Sequence, residues 1–357
     1  MTEFPSGKLE RGKVLAKTGL KIGTNYARFY AKNAGRNVTA ESRSKLNYKN
    51  AEDLFKNFTQ LRGSVLKLAQ SLSMDSGVMP QEFIEVMSQA QYRVPPMNRA
   101  LVRRQILREL GKYPEVAFSE FNEEAIAAAS IGQVHEATDD VGQKFAVKIQ
   151  YPNVRDTIDS DLSMARAIFT PMLKNGDVDT YIDEIRNTLL NETDYYLEGQ
   201  QIEHFSTIYG NDPRVIMPRW VPHLSSERVL TMSYIKGQHL DVFLKSKPTL
   251  DYKNHFGKLL WDFIHDQIRR QIYTFHADLH PGNFLFREDG RLGVLDFGCV
   301  KKFPKEFLEI CVDMLSSHIR DDENTIRECY IAIGILGKKD LKSRKSVELF
   351  EFLRAFG

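Results

Sequence analysis

Two short strand signals, set among long helical stretches, most constrain what this 357-residue chain can fold into. In Phe145-Ala-Val-Lys-Ile-Gln150, apolar Phe145, Val147 and Ile149 alternate with Ala146, Lys148 and Gln150. That period of two is a strand signature. From Asn283 to Asp296, two apolar runs flank Asp289-Gly290. A turn pair of this kind between apolar runs predicts a β-hairpin. A pure helical bundle is therefore excluded, and the fold class is α+β.

The helical stretches surround these strands. Residues 12–33 place Leu15, Ile22, Tyr26 and Phe29 on one stripe, with Gly19 and Gly23 weakening the pattern. Residues 51–75 give a stronger helix, with Leu54, Phe58, Leu61, Val65 and Leu68 on its apolar side. Pro80 can open a second helix, which stops at Pro95-Pro96, and Asn98 is a good N-cap for a third that ends at Gly111. Residues 153–206, 251–272 and 305–356 also read as helical, and Val229–Tyr234 as a short strand. The domain division expected from this order is 1–48, a basic amphipathic arm; 49–112, a helical extension; 113–240, a mixed lobe with inserted helices; and 241–357, a mostly helical lobe.

Composition narrows the function classes. The hydrophobic fraction of 42% is enough for a real core, and a net charge of +2 gives no reason to expect a nucleic-acid partner. The three cysteines, Cys299, Cys311 and Cys329, form no CxxC pair, so a reducing compartment is expected. The first ten residues have no apolar signal core, and no run is apolar enough to span a bilayer. Cytoplasmic placement is the expectation. Residues 1–50 hold eleven Lys and Arg against three Glu, about +8, which leaves the remainder near −6. An amphipathic stripe with that charge predicts peripheral contact of residues 1–45 with an anionic membrane surface.

The chemistry concentrates around the hairpin. His276-Ala-Asp278-Leu-His-Pro-Gly-Asn283 precedes it and Asp296-Phe-Gly298 closes it. Protein kinases place H-R-D-x-x-x-x-N and D-F-G in this order, with a hairpin between. The spacing suits ATP, whose phosphate charge metal ions must neutralise during transfer. Asp296 is the expected Mg²⁺ ligand, and Asn283 holds a second metal or helps hold the first. Asp278 would orient or deprotonate the nucleophile. Upstream, Phe145-Ala-Val-Lys148-Ile matches the kinase V-A-I-K strand. Lys148 is then the nucleotide-phosphate lysine, and Glu198 the carboxylate partner it needs. Alone, Lys148 would read as an exposed-face strand residue.

A kinase would carry G-x-G-x-x-G before that lysine. This chain carries Ala127-Ala128-Ala129-Ser130-Ile-Gly-Gln-Val-His135. Alanines restrict φ, so such a loop grips nucleotide differently from a glycine loop. These residues resemble the UbiB (ADCK, aarF-domain) family of atypical kinase-like proteins, known for an alanine-rich loop reading A-A-A-S-I-G-Q-V-H. The family's K-x-G-Q, E-x-D and H-A-D-x-H-P-G-N motifs are matched by Lys67-Leu-Ala69-Gln70, Glu192-Thr-Asp194 and His276–Asn283. The resemblance runs from about residue 50 to 300. Ala69 departs from it, standing where the family has glycine.

The resemblance implies an atypical kinase-like two-lobed fold with an N-terminal extension. That extension would fold over the active site, bringing Lys67 and Gln70 to Glu192 and Asp194. It implies ATP and Mg²⁺ as cofactors and a role in isoprenoid quinone biosynthesis or lipid handling, with quinone-biosynthesis proteins or lipid precursors as partners. No A-P-E follows Gly298, the chain reads as helical at once, and Ala277 replaces the arginine of H-R-D. A peptide platform is poorly supported, so a protein kinase is the first rival and a non-catalytic pseudokinase scaffold the second.

Overall fold

The computed structural model describes residues 7–34, 38–61, 64–65, 68–69, 80–87, 96–129, 131–170, 178–270, 272–337 and 344–356. The chain begins with helices α1 (Lys8–Lys32), α2 (Ala40–Leu61), α3 (Gln81–Met87), α4 (Arg99–Leu110) and α5 (Pro114–Ala117). Strands β1 (Glu120–Phe121), β2 (Ala127–Ala128), β3 (Gly132–Thr138) and β4 (Lys144–Gln150) follow, then helices α6 (Val154–Phe169), α7 (Val178–Glu192) and α8 (Tyr195–Tyr209). Next come β5 (Val215–Ile216), β6 (Val229–Ser233), α9 (Leu240–Lys245), α10 (Leu250–Arg269), β7 (Thr274–His276), β8 (Phe284–Phe286), β9 (Leu292–Val294) and β10 (Val300–Lys302). Helices α11 (Lys305–Arg320), α12 (Glu323–Ala332) and α13 (Arg344–Phe356) end the chain. This mixture is the α+β class expected from the sequence. Two compact units result, Met1–Gly210 with Met217–Ile235, and Asn211–Ile216 with Lys236–Gly357.

The first unit is built on an antiparallel sheet in the order β1-β3-β4-β6, with β2 also pairing β3. Lys148 lies opposite Val134 on β3 and Leu230 on β6. Both faces of β4 are covered: Val147 and Ile149 are buried on one, Lys148 and Gln150 on the other. Helix α4 starts and stops where its caps dictate. Asn98 accepts a hydrogen bond from Leu101 N–H, and Gly111 takes the left-handed conformation that its missing Cβ permits.

Helix α1 runs unbroken through Gly19 and Gly23. Its stripe is not free: Leu15 and Ile22 join a core with Leu54 and Phe58 of α2 and Ile158, Leu162, Ala165 and Ile168 of α6. Glycine explains how close α1 comes to α6. A Cβ at Gly12 would stand 2.9 Å from Met164 Cε, and one at Gly19 3.3 Å from Ile168 Cγ1. A buried ion pair pins the same contact, with Arg11 Nη2 at 2.6 Å from Asp161 Oδ2. Arg11 also donates to the Leu61 carbonyl, and Ser64 donates to Asp161. Ala69, in place of the family's glycine, is fully buried in this core. Lys67 and Gln70 lie outside the described residues.

The second unit holds the expected hairpin, β8 antiparallel to β9, with β5 parallel to β9 on its other side. Strand β7 pairs β10, so His276 lies opposite Val300. The expectation that the chain becomes helical directly after Gly298 is therefore corrected. Strand β10 comes first, and α11 begins only at Lys305. Among the described residues no helix is long and apolar enough to cross a membrane.

Candidate functional site

In the first unit the site begins at the ammonium of Lys148. It donates to both carboxylate oxygens of Glu198 at 2.9 Å, and the two side chains keep only 7% and 2% of their exposure. The exposed-face alternative for Lys148 is thus removed. Burial works here because the charges neutralise each other at hydrogen-bond distance. Glu198 is delivered by the first turn of α8, and the residues before it set that turn. Asp194 is the N-cap, its carboxylate accepting from Tyr196 and Leu197 N–H at 3.1 Å. Thr193 is buried, and its carbonyl accepts from Gln150 Nε2 at 3.0 Å, which ties this turn to β4. Glu192 is buried at the end of α7.

The alanine-rich stretch forms the β2–β3 hairpin, with Ala127 opposite Val134 and Ala128 opposite Gln133. Ala129 N–H donates to the Gly132 carbonyl at 2.9 Å, and Ser130 falls outside the described residues. Ala127 and Ala128 are exposed, so the hairpin presents small side chains and backbone to solvent. Gly132 is required where it stands, since a Cβ would lie 2.4 Å from the Ile149 carbonyl oxygen.

Gln133 and His135 belong to the same motif, with no role evident from their spacing to the nucleotide residues. Both are buried on β3. Met97 N–H donates to Gln133 Oε1 at 2.6 Å, and Gln133 Nε2 meets His135 Nε2 at 2.8 Å. His135 Nδ1 meets the Asn122 carbonyl at 2.8 Å, so the ring donates there and accepts from Gln133 as a neutral imidazole. Burial pushes its pKa below the ordinary histidine value. The signal was the i, i+2 spacing, which puts both residues on one strand face.

In the second unit hydrogen bonds tie Asp278 to Asn283, and Asn283 to Leu295, the neighbour of Asp296. Asn283 Nδ2 donates to the Asp278 carbonyl at 3.0 Å, which leaves its Oδ1 as the acceptor end. Leu295 N–H donates to the Asn283 carbonyl at 3.0 Å, fixing the residue before Asp296. Asp296 Oδ1 accepts from Gly298 N–H at 2.8 Å. His276 holds the same aspartate from behind, with Nε2 at 2.5 Å from the Asp296 carbonyl oxygen. Burial pushes the His276 pKa down, which keeps the ring neutral. Gln267 Oε1 accepts from His276 N–H at 2.7 Å, and Ala277 N–H donates to the Cys299 carbonyl at 2.9 Å.

The oxygen set fits Mg²⁺. A carboxylate and an amide oxygen are hard donors, and Mg²⁺ typically takes one or two protein oxygens and completes its shell with phosphate and water. Among the described residues no three His, Cys, Asp or Glu side chains assemble a metal site of their own.

Residues 89–330 match the ABC1 atypical kinase-like domain. The chain belongs to the ABC1 atypical kinase-like family. The atypical kinase COQ8, mitochondrial, of Saccharomyces cerevisiae is 29% identical over 84% of this chain and 60% of its own length. A chloroplastic aarF domain-containing protein kinase of Arabidopsis thaliana is 29% identical over 90% of this chain and 46% of its own. The chain thus spans about half the length of the curated relatives it matches. The solved structure of Rv3197 with erythromycin, from Mycobacterium tuberculosis, is 30% identical with a TM-score of 0.54, covering 80% of this chain and 74% of that one. As a member of the ABC1 family, the chain carries the atypical kinase-like fold.

Proposed function

We propose that this chain binds Mg-ATP and uses it as an ATPase or small-molecule phosphotransferase. The observation that carries this is the buried Lys148–Glu198 pair, formed between a V-A-I-K-type strand and a helix. An ammonium held by a carboxylate in this way is aimed and kept charged for phosphate oxygens. Asp296 and Asn283 are the residues that would hold Mg²⁺, which neutralises charge on the transferring phosphoryl group. Asp278 would orient the attacking hydroxyl or take its proton. Ala127, Ala128, Ala129 and Ser130 would line the phosphates, with Glu192 and Asp194 shaping the helix start that delivers Glu198. Lys67 and Gln70 would govern which acceptor reacts.

The pathway is proposed from the family resemblance alone. The UbiB-type motifs support a role in isoprenoid quinone biosynthesis or lipid handling, with lipid precursors or quinone-biosynthesis proteins as partners. Contact with an anionic membrane surface would use the outward face of α1, where Lys13, Lys17 and Arg28 are exposed beside Leu9 and Leu20. A shallow groove lined by Gly19, Leu20, Gly23, Thr24, Ala27 and Arg28 runs along that face. Nucleotide turnover by purified protein with Mg²⁺, with and without anionic liposomes and a phenolic quinone-precursor mimic, tests the reading. Turnover stimulated by either addition supports it. Strong transfer to a protein substrate would restore the protein-kinase alternative.

A further inference from the structure

Helix α8 brings a second side chain to Lys148. Tyr195 precedes Glu198 by three residues, so the two project from one side of the helix. Tyr195 is fully buried, and Lys148 Nζ lies over its ring, 5.0 Å from the centroid. The ammonium therefore meets a carboxylate and an aromatic face, both from α8. A ring face attracts a cation through its quadrupole, and the attraction grows where water is excluded. The tyrosine is held at its backbone and closely packed at its far end. Tyr195 N–H donates to the Glu227 carbonyl at 2.9 Å, and a Cβ at Gly132 would stand 2.8 Å from Tyr195 Oη. The absent side chain at the base of the alanine-rich hairpin thus makes room for this tyrosine.

We infer that Tyr195 is a positioning residue for the nucleotide lysine: its ring face keeps the Lys148 ammonium in one orientation on Glu198, and so sets how it meets a phosphate. The role rests on the nucleotide-binding reading above. It acts through Lys148 and asks nothing of the hydroxyl, so phenylalanine should serve nearly as well. An aliphatic residue without a ring should not.

The test compares wild type, Tyr195→Phe, Tyr195→Met and Tyr195→Leu, each also in a Lys148→Met background. Mg-ATP affinity is measured by calorimetry. Tyr195→Phe should stay within about twofold of wild type, and Tyr195→Met should weaken binding about tenfold. In the Lys148→Met background the change at Tyr195 should have no further effect. A purely structural tyrosine would weaken binding in both backgrounds. A second readout needs no nucleotide: the rate at which a water-soluble acylating reagent labels Lys148, followed by mass spectrometry. Tyr195→Met and Tyr195→Leu should speed labelling several-fold, and Tyr195→Phe should not. Equal labelling in all four proteins, or a tenfold affinity loss in Tyr195→Phe, overturns the inference. If wild type binds no Mg-ATP yet labelling follows the ring, the nucleotide reading fails while the tyrosine–lysine contact stands.

Discussion

Lys148 and Glu198, fifty positions apart, meet through two hydrogen bonds of 2.9 Å with both side chains buried. Each ion gave up its hydration to be there, and each is compensated by the other. Removing one leaves a buried charge, which typically costs about 3–5 kcal/mol. Lys148→Ala should therefore destabilise the protein by that order. The double variant Lys148→Ala/Glu198→Gln should recover part of the loss, because the orphaned charge is gone. Urea unfolding midpoints of the two variants check this, and a double variant no more stable than the single one would speak against it.

Helix α1 gives a second prediction, about which of its faces does what. Arg11, Leu15 and Ile22 are committed to the core, so deleting residues 1–45 would damage the first unit. Charge reversal on the outward face avoids that problem. Each Lys or Arg near an anionic bilayer contributes about 1 kcal/mol. Lys13→Glu/Lys17→Glu/Arg28→Glu should abolish co-sedimentation with anionic liposomes while leaving the unfolding midpoint nearly unchanged. Salt-sensitive sedimentation that persists in the triple variant would place the anchor elsewhere.

A third prediction concerns acid. His135 is buried and neutral, with its pKa depressed from the ordinary 6.5 by loss of solvation. The unfolded chain then binds a proton that the folded chain refuses, so this residue's effect is to lower stability as pH falls. The loss begins as pH drops through about 6.5 and continues to the lower folded-state value, at up to about 1.4 kcal/mol per pH unit. Protonation would also set His135 Nε2–H against the Gln133 amide that now donates to it. Unfolding midpoints at pH 7.5 and 5.5 should differ more in wild type than in His135→Asn. Equal differences in the two proteins would remove His135 as the cause.

How much of this could be read beforehand depended on how local each signal was. Asp278, Asn283, the Asp289-Gly290 turn and Asp296 lie within nineteen positions, so spacing alone located the hairpin and its flanking groups. The caps Asn98 and Gly111 were equally local and appear where the sequence put them. The burial of Lys148 was not legible from β4, because its covering residues, Tyr195 and Glu198, come from a helix far along the chain. The alanines at 127–129 favour helix by intrinsic propensity. Pairing with β3 overrides it. Strand β10 is three residues long, too short for a period to show. The α1 stripe would look the same facing a membrane or a protein core. Gly19, one of the two glycines expected to weaken the helix, and Gly12 are what let α6 cover it.

The motif resemblance supplies a fourth prediction. Lys67 is proposed to govern the acceptor more than the nucleotide. Lys67→Ala should then keep Mg-ATP affinity within about tenfold, roughly 1.4 kcal/mol, while raising self-phosphorylation. Labelled ATP with wild type, Lys67→Ala and Lys67→Ala/Asp296→Asn reads this out. Strong self-phosphorylation by wild type, unchanged in Lys67→Ala, would end the gating idea.

The central claim is that Asp296 and Lys148 serve Mg-ATP, and calorimetry tests it most directly. Asp296→Asn removes the carboxylate proposed for the metal but keeps the acceptor that Gly298 N–H uses. It should largely abolish Mg²⁺-dependent ATP binding. Lys148→Ala should weaken binding less, since metal and backbone contacts to the phosphates remain. Wild-type affinity for Mg-ATP in Asp296→Asn would contradict the account.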